Sequence, residues 1–324
     1  MRVSPLTNRS VLVTGGTGSF GTAFVEHALS VGARKIIVLS RDELKQSEMM
    51  ARFCDPRLRF MIGSVTDSER VKRAMGGVDY VVHAAAMKQI PACEQHPAEC
   101  ANTNVTGTQV VALAAIDAGV KRAVFLSTDK AAQPNTHYGA CKLAAERLWT
   151  QANVYAAGTR TRLVATRYGN VIGSRGSVVP LFQRQREEGL LTVTDSRMTR
   201  FWMTIGQAAD LVCLALAEGR GGEVFVPRIP TASILTVAEA IAAGVPIKEI
   251  GIRGGEKLHE TLISEDEARN AYEFQDHYRV EPDRTWEDLP EPSGHRVPLG
   301  FTYRSDTNPD QLDADGFRQL LEAR

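Results

Sequence analysis

The chain predicts an α/β fold, a Rossmann-type doubly wound parallel sheet with a smaller C-terminal substrate-binding region. Short β-branched runs alternate with helix-like segments through the first half. A glycine-rich turn joins the first of those runs to the first helix. After about Asn170 the texture changes, and glycine, proline and basic residues mix. Continuous apolar runs, each followed by a helix, imply a parallel sheet covered on both faces.

In chain order, "SVLVTGG" (10–16) is a β-branched run ending in glycines. "TAFVEHALSVG" (22–32) follows with helical spacing that stops at Gly32, a C-cap residue. "KIIVLS" (35–40), "LRFMIGS" (58–64), "DYVVHAAA" (79–86) and "RAVFLST" (122–128) continue the strand series, with "TGTQVVALAAIDAGV" (106–120) as the helix before the last. "RLVATRYGNV" (162–171) reads as a further strand of that sheet. Beyond it, "TIGQAADLVCLALAEG" (204–219) is an amphipathic helix and "GEVFVP" (222–227) a strand. The tail from about Asp276 has little periodicity, which predicts loops. The expected division is a cofactor-binding unit over 1–170, to which 201–227 returns, and a substrate-binding region over 171–200 and 228–324.

At 324 residues and 43% hydrophobic, the chain can bury a sizeable core. Lys plus Arg equals Asp plus Glu at 38 each, so bulk charge points to neither nucleic acid nor an anionic membrane. The five cysteines are odd in number and form no C-x-x-C pair, and the histidines show no metal-type clustering, which argues against a disulfide framework or a metal site. No signal-type h-region opens the chain, and no apolar run approaches the roughly 20 residues of a membrane helix. A cytoplasmic protein is expected.

"TGGTGSFG" (14–21) places Gly15, Gly18 and Gly21 in a G-x-x-G-x-x-G pattern between a strand and a helix. Such a turn lets backbone approach a pyrophosphate, and the helix N-terminus adds exposed N–H donors and a favourable dipole. With a βαβ unit following, dinucleotide binding is expected. At the end of the second strand, Ser40, Arg41 and Lys45 suit a 2′-phosphate and hence NADP(H). Asp42 leaves room for NAD. Downstream, Pro134 and Asn135 look like a helix start, which puts Tyr138 and Lys142 four apart on one face. A free tyrosine titrates near pKa ~10, and a nearby ammonium plus a positive nicotinamide favours its phenolate. Just upstream lie an adjacent acid and base, Asp129 and Lys130, which simple hydride transfer does not require.

With "TGGTGSFG", "HAAA", "NVTGT" and "YGACK" in this order, the chain resembles the extended short-chain dehydrogenase/reductases. More narrowly, "AAAMKQIPACE", "LSTDKAAQPNTHYGACKLAAE", "TRYGNVIGSRGSVVPLF", "MTRFWMT" and "GGEKLHE" resemble the soluble inverting UDP-N-acetylglucosamine 4,6-dehydratases, which begin pseudaminic acid synthesis for flagellin glycosylation. The resemblance implies a lyase that uses tightly bound NADP(H) and regenerates it each cycle. Tyr138 would oxidise C4 of the sugar, the ketone would acidify C5, Lys130 would take the C5 proton, and Asp129 would protonate the C6 hydroxyl as it leaves. Burial and cations such as Lys142 would have to lower the pKa of Lys130 for that role. It further implies a cofactor along Gly15, Thr17, Gly18, Ser19, Phe20 and Gly21, then Ser40, Arg41, Asp42 and Lys45. Ser64, Val65, Ala84, Ala85, Lys88, Ser127, Tyr138 and Lys142 would complete that contact. Lys88, Thr128, Asn170, Arg200, Arg253 and Glu256 would meet the UDP-sugar. Ser64 and Gly254 depart from the aspartate and proline usual in relatives. His83 reads as a packed residue near the cofactor and His259 as structural. Relatives form homo-oligomers, so one is expected. A UDP-sugar 4-epimerase and a non-catalytic NADP-sensing module are the rival readings.

Overall fold

The computed structural model describes residues 4–174, 177–283 and 291–323. Arg175 and Gly176 of "GNVIGSRGSVVPLF", and 284–290 of the tail, lie outside them. The first half runs β1 (Ser10–Thr14), α1 (Ser19–Ser30), β2 (Lys35–Ser40), α2 (Glu43–Phe53), β3 (Leu58–Ile62), α3 (Ser68–Ala74), β4 (Tyr80–His83), α4 (Ile90–Gln95), α5 (Pro97–Ala101), α6 (Gly107–Asp117), β5 (Arg122–Leu126), α7 (His137–Gln151) and β6 (Arg162–Thr166). All five residues of β1 are buried, as expected of a strand covered on both faces. Side-chain caps start the helices: Asp42, Asp67 and Thr136 accept from the N–H groups of Lys45, Arg70 and Gly139. The Tyr138 helix therefore begins at His137, later than Pro134 suggests.

β3, β2, β1, β4, β5 and β6 lie side by side in that order, every pair parallel. The order reverses between β1 and β4, and open α/β sheets hold their ligands in the crevice at such a reversal.

The second half contributes β7 (Asn170–Val171), α8 (Val178–Glu188), β8 (Leu191–Val193), β9 (Thr199–Met203), α9 (Ile205–Glu218), β10 (Val224–Pro227), β11 (Thr231–Ser233), α10 (Ile234–Ala242), β12 (Ile247–Glu249), β13 (Thr261–Ile263), β14 (Ala271–Glu273), β15 (His277–Val280), β16 (His295–Arg296), β17 (Tyr303–Arg304) and α11 (Ala314–Glu322). β10 joins β6 in parallel, and β15, β14 and β16 extend the sheet antiparallel to ten strands. The tail thus departs from the loops expected of it, and the large sheet reaches past the boundary expected at 228. β15 hides in the sequence because its polar residues are buried by aromatic faces. His277 stacks on Phe274 at 4.6 Å, and the Arg279 guanidinium lies 4.4 Å over the same ring and 4.9 Å over Phe225. "RLVATRYGNV" also divides: β6 stops at Thr166, and β7 pairs with β9 in a separate three-stranded sheet.

A second core of Ile172, Val179, Phe182, Trp202, Val237 and Phe317 lies in this half, with Trp202 edge-on to Phe317. Phe201, one residue away on β9, belongs to the main core, so the two cores meet across that strand. Fully buried Arg167 ties α7 to the segment around β13. Its guanidinium binds Glu146 of α7 at 2.5 and 3.1 Å, Glu267 at 2.7 and 2.9 Å, and the Leu262 carbonyl at 2.9 Å. Among the described residues, no helix is long and apolar enough to cross a membrane.

Candidate active site

A cavity of about 1540 Å³ opens at the β1/β4 reversal, walled by the glycine loop, the ends of β2 to β5, α7 and the second region. Gly15 has φ +65°, and a Cβ there would lie 2.7 Å from Ala85 Cα, so glycine alone lets the loop after β1 approach the loop after β4. Gly18 caps α1 without a side-chain bond, and Ser19, Phe20 and Gly21 of its first turn line the cavity together with Thr17. That is an anion cradle by geometry and dipole.

At the end of β2 the Ser40 hydroxyl accepts from Gln46 Nε2 at 3.2 Å, and Arg41 lies exposed on the rim. Asp42 is occupied twice, as cap of α2 and as ion partner of Lys45 at 2.5 Å. Gln46 also binds the carbonyls of Ser40 and Met61, which joins the ends of β2 and β3. No sequence signal marks that role, since one polar residue in an amphipathic helix has no signature. Ser64 bonds Thr66 at 2.8 Å, with Val65 buried beside it. Ala84, Ala85, Lys88 and Ser127 line the cavity, and the buried Ser127 Oγ has no hydrogen-bond partner among the described residues. An orphan hydroxyl beside a glycine cradle fits a polar cofactor there.

Lys142 and Tyr138 leave one face of α7, both buried. Lys142 Nζ donates to the Leu126 carbonyl at 2.6 Å and sits 3.9 Å over the Phe125 ring. Burial, partly offset by Glu146, lowers its pKa to about 7. The Tyr138 hydroxyl is pushed the other way, upward, by burial and by the Asp129 charge, against a hydrogen bond with Thr128. The ammonium expected to favour the phenolate is committed to a carbonyl instead. His83 is held between Thr14 at 2.6 Å and Thr108 at 3.0 Å, and burial keeps it neutral with a pKa of about 3.

Directly beside Tyr138, the turn after β5 folds as a short 3-10 helix, Asp129–Ala131. Gly139 lets α7 abut it, since a Cβ there would lie 2.5 Å from the Lys130 carbonyl oxygen. Lys130 Nζ donates to both Asp129 oxygens at 2.9 and 2.8 Å, and the Thr128 hydroxyl donates to Asp129 Oδ1 at 2.8 Å. Burial lowers the Lys130 pKa, but the Asp129 and Glu260 charges outweigh it, and the net shift is upward. The depression expected from Lys142 is therefore not found. The missed partner, Glu260, stands 3.6 Å from Lys130 Nζ.

Asn170, and Arg200, Arg253 and Glu256 of the second region, all line the cavity. The Arg200 guanidinium is tied to the carbonyls of Thr199, Leu258 and Lys257 at 2.7 to 2.9 Å, so it frames the wall more than it offers a free fork. Glu256 accepts from the Arg253 N–H at 3.1 Å, and a Cβ added at Gly254 between them would meet no atom within 4 Å. Lys257 fastens this loop to the end of the Asp129–Ala131 turn through the Ala132 carbonyl at 2.8 Å. His259 bonds Thr199 at 2.9 Å. Two more residues escaped the sequence reading. Asn104, in a π-helical turn (Asn102–Thr106), clamps Met87 N and O at 2.8 and 2.9 Å, next to Lys88. Ser177 precedes α8 with its hydroxyl buried and unpartnered among the described residues.

Folding also gathers Cys100, His137 and Cys141, whose ligand atoms lie within 4.8 Å of one another, a cluster that spacing along the chain conceals. His137 Nε2 sits 2.9 Å from the Pro97 carbonyl, and burial raises the thiols of Cys100 and Cys141 to about 12 and 11. They pack, protonated, with Cys93 against Tyr138.

The glycine cradle, the Tyr–Lys helix and the reversed strand order define a nucleotide-cofactor enzyme of the extended short-chain dehydrogenase/reductase class. Residues 11–282 match the polysaccharide biosynthesis protein family, and the chain belongs to it. It is 46% identical over 312 residues to the UDP-N-acetylglucosamine 4,6-dehydratase (inverting) of Campylobacter jejuni subsp. jejuni serotype O:2, covering 93% of each chain. It is 41% identical over 285 residues to a UDP-glucose 4-epimerase of Rickettsia conorii, covering 85% of this chain and 84% of that one. The X-ray structure of Pen from Bacillus thuringiensis superposes with a TM-score of 0.89 at 37% identity, covering 98% and 99% of the two chains.

Proposed function

We propose that this protein is a C5-inverting UDP-N-acetylglucosamine 4,6-dehydratase, a hydro-lyase yielding a UDP-4-keto-6-deoxy-hexose. The observation that carries this reading is the Asp129–Lys130 pair beside Tyr138, a second acid–base set that an alcohol oxidation alone leaves idle. Gly15, Gly18 and Gly21 of the glycine loop would hold a nicotinamide dinucleotide, which would supply the hydride acceptor and donor for C4 and C6.

Tyr138, as the phenolate that a positive nicotinamide ring would favour, takes the C4 hydroxyl proton as the C4 hydrogen departs, leaving a 4-ketone. That ketone makes the C5 hydrogen acidic. Lys130 removes it, and Asp129 protonates the C6 oxygen, which leaves as water. Both groups must be neutral first, and one proton shift inside their 2.8 Å ion pair achieves this. A substrate that covers the site and expels water favours the neutral pair over the charged one. After hydrogen returns to C6, C5 is reprotonated on the face opposite Lys130, which inverts it, and Tyr138 supplies the proton it took from the C4 hydroxyl. Tyr138 is then deprotonated again and Asp129 and Lys130 again form their ion pair, with the Thr128 hydroxyl hydrogen-bonded to both Tyr138 and Asp129.

NADP(H) is the proposed cofactor, supported by Ser40 and Arg41 at the β2 end and by Asp42 being committed to α2 and Lys45. Arg253, Glu256 and Asn170 are proposed to meet the UDP moiety. A cytoplasmic homo-oligomer acting at the first step of pseudaminic acid synthesis completes the proposal, on the strength of kinship to the inverting dehydratases. The 41% identity to an epimerase supports a second reading, C4 epimerisation, which needs Tyr138 but gives Asp129 and Lys130 no work. The test is Lys130→Ala with UDP-N-acetylglucosamine. Dehydration should fall by about 10²–10⁴-fold, and an unchanged rate would sink the mechanism.

A further inference from the structure

We infer that Glu260 is a positioning residue for this reaction, the standing counter-charge of the Lys130 ammonium that exists after the C5 proton has been taken. The inference rests on the proposed role of Lys130. Glu260 directly precedes β13, its side chain only 4% exposed, and it is not part of the cavity wall, whereas Lys130 and Arg200 are. Its backbone is fixed on both sides, N–H to Ser305 Oγ and carbonyl to Ser305 N–H, each at 2.9 Å. Its carboxylate meets three cations at ion-pair distance: Lys130 at 3.6 Å, Arg200 at 3.7 Å and Lys257 at 3.9 Å. Oε2 has no hydrogen-bond partner among the described residues. A buried carboxylate left short of hydrogen bonds is costly, and the cations around it are what offset that cost.

The chemistry explains why a second anion is needed. Asp129 cannot serve both as the ion partner of Lys130 and as the protonated acid at C6. While Asp129 carries its proton, the groups facing Lys130 are Glu260 from the loop before β13, Arg200 from β9 and Lys257 from the same loop as Glu260. Two of those three are positive, and Glu260 is the one anion among them. It therefore strengthens Lys130 as a base toward C5 and keeps the resulting ammonium in place. The upward pull of Glu260 on Lys130 agrees with this.

The test is dehydration of UDP-N-acetylglucosamine carrying deuterium at C5, whose isotope effect marks the Lys130 step apart from C4 oxidation. In the Glu260→Gln protein, dehydration should slow by about 10-fold or more with that isotope effect expressed, and its alkaline limb should move about one pH unit or more lower, because the one proton shared by Asp129 and Lys130 is lost more easily. KM should be little changed. Glu260→Asp retains the charge and should recover part of the rate. If Glu260→Gln fails to fold, Glu260→Asp still tests the idea, since a shorter side chain shifts the limb the same way by less. A wild-type rate with an unmoved limb in a folded variant overturns the inference. Lys130→Ala tells the two failures apart: if that protein dehydrates the substrate normally, the Lys130 assignment itself is wrong, and if it is inactive while Glu260→Gln is normal, only the Glu260 role falls.

Discussion

Lys130 Nζ lies 2.9 and 2.8 Å from the two carboxylate oxygens of Asp129, its neighbour in the chain, with Asp129 only 1% exposed. Adjacent residues rarely chelate one another this way in a strand or helix. Here the short 3-10 turn after β5 turns both side chains to the same side. In the proposed cycle the two act at neighbouring carbons, C5 and C6.

Asp129→Asn should therefore separate the steps. Oxidation at C4 continues, and a 4-keto sugar that has kept its C6 hydroxyl forms, while water loss drops by about 10²–10⁴-fold. Single-turnover product analysis reads this directly. Equal loss of both steps would show that Asp129 acts on C4 instead.

Gly139→Ala should disturb the same turn from behind. Its new Cβ would fall 2.5 Å from the Lys130 carbonyl oxygen, which belongs to backbone and cannot swing aside. A displacement near 1 Å costs about 10²-fold in rate at such sites, so kcat should fall by roughly that factor with cofactor affinity retained. A wild-type kcat would mean the turn tolerates the shift.

How much of this was legible in advance depended on where the partners lie. The glycine loop, the Tyr138–Lys142 face and the adjacent Asp129–Lys130 pair are local patterns, and each stands where its sequence signal put it. Glu260, Gln46 and Asn104 work across long separations, Glu260 meeting Lys130 from 130 positions away, and no periodicity marks such pairings. β15 was hidden for a related reason: the aromatic faces of Phe225 on β10 and Phe274 in the turn before it bury its His277 and Arg279, so its polarity read as loop. The upward shift of Tyr138 was equally out of reach, because burial dominates it and burial belongs to the fold.

Cofactor choice is tested at Arg41. It lies exposed at the β2 end, while Lys45 is engaged by Asp42. Arg41→Ala should weaken NADP(H) relative to NAD(H) by roughly 10-fold or more, as expected for one charge-assisted bond to a phosphate. Equal loss for both dinucleotides would remove Arg41 from a 2′-phosphate site.

Acid stability is tested at Glu267. Burial pushes its carboxyl up, but the Arg167 guanidinium and the bonds from Arg167 and Ser264 outweigh burial and hold it at about 2, against an ordinary 4.5. A depressed carboxylate contributes stability that is full above the ordinary value and is lost as pH falls through the depressed one. The window is thus about pH 4.5 down to 2, and the contribution is roughly 3 kcal/mol at most. Urea midpoints at pH 6 and pH 3 should diverge less in Glu267→Gln than in the wild type. An identical pH dependence would mean that other carboxylates govern acid unfolding.

The most direct measurement is the product made from UDP-N-acetylglucosamine in D2O with NADP present, read by mass spectrometry and NMR. The account predicts a sugar nucleotide lighter by one water, carrying a C4 ketone, a C6 methyl and a single carbon-bound deuterium at an inverted C5. An isobaric C4 epimer without deuterium at C5, or unaltered substrate, would contradict it.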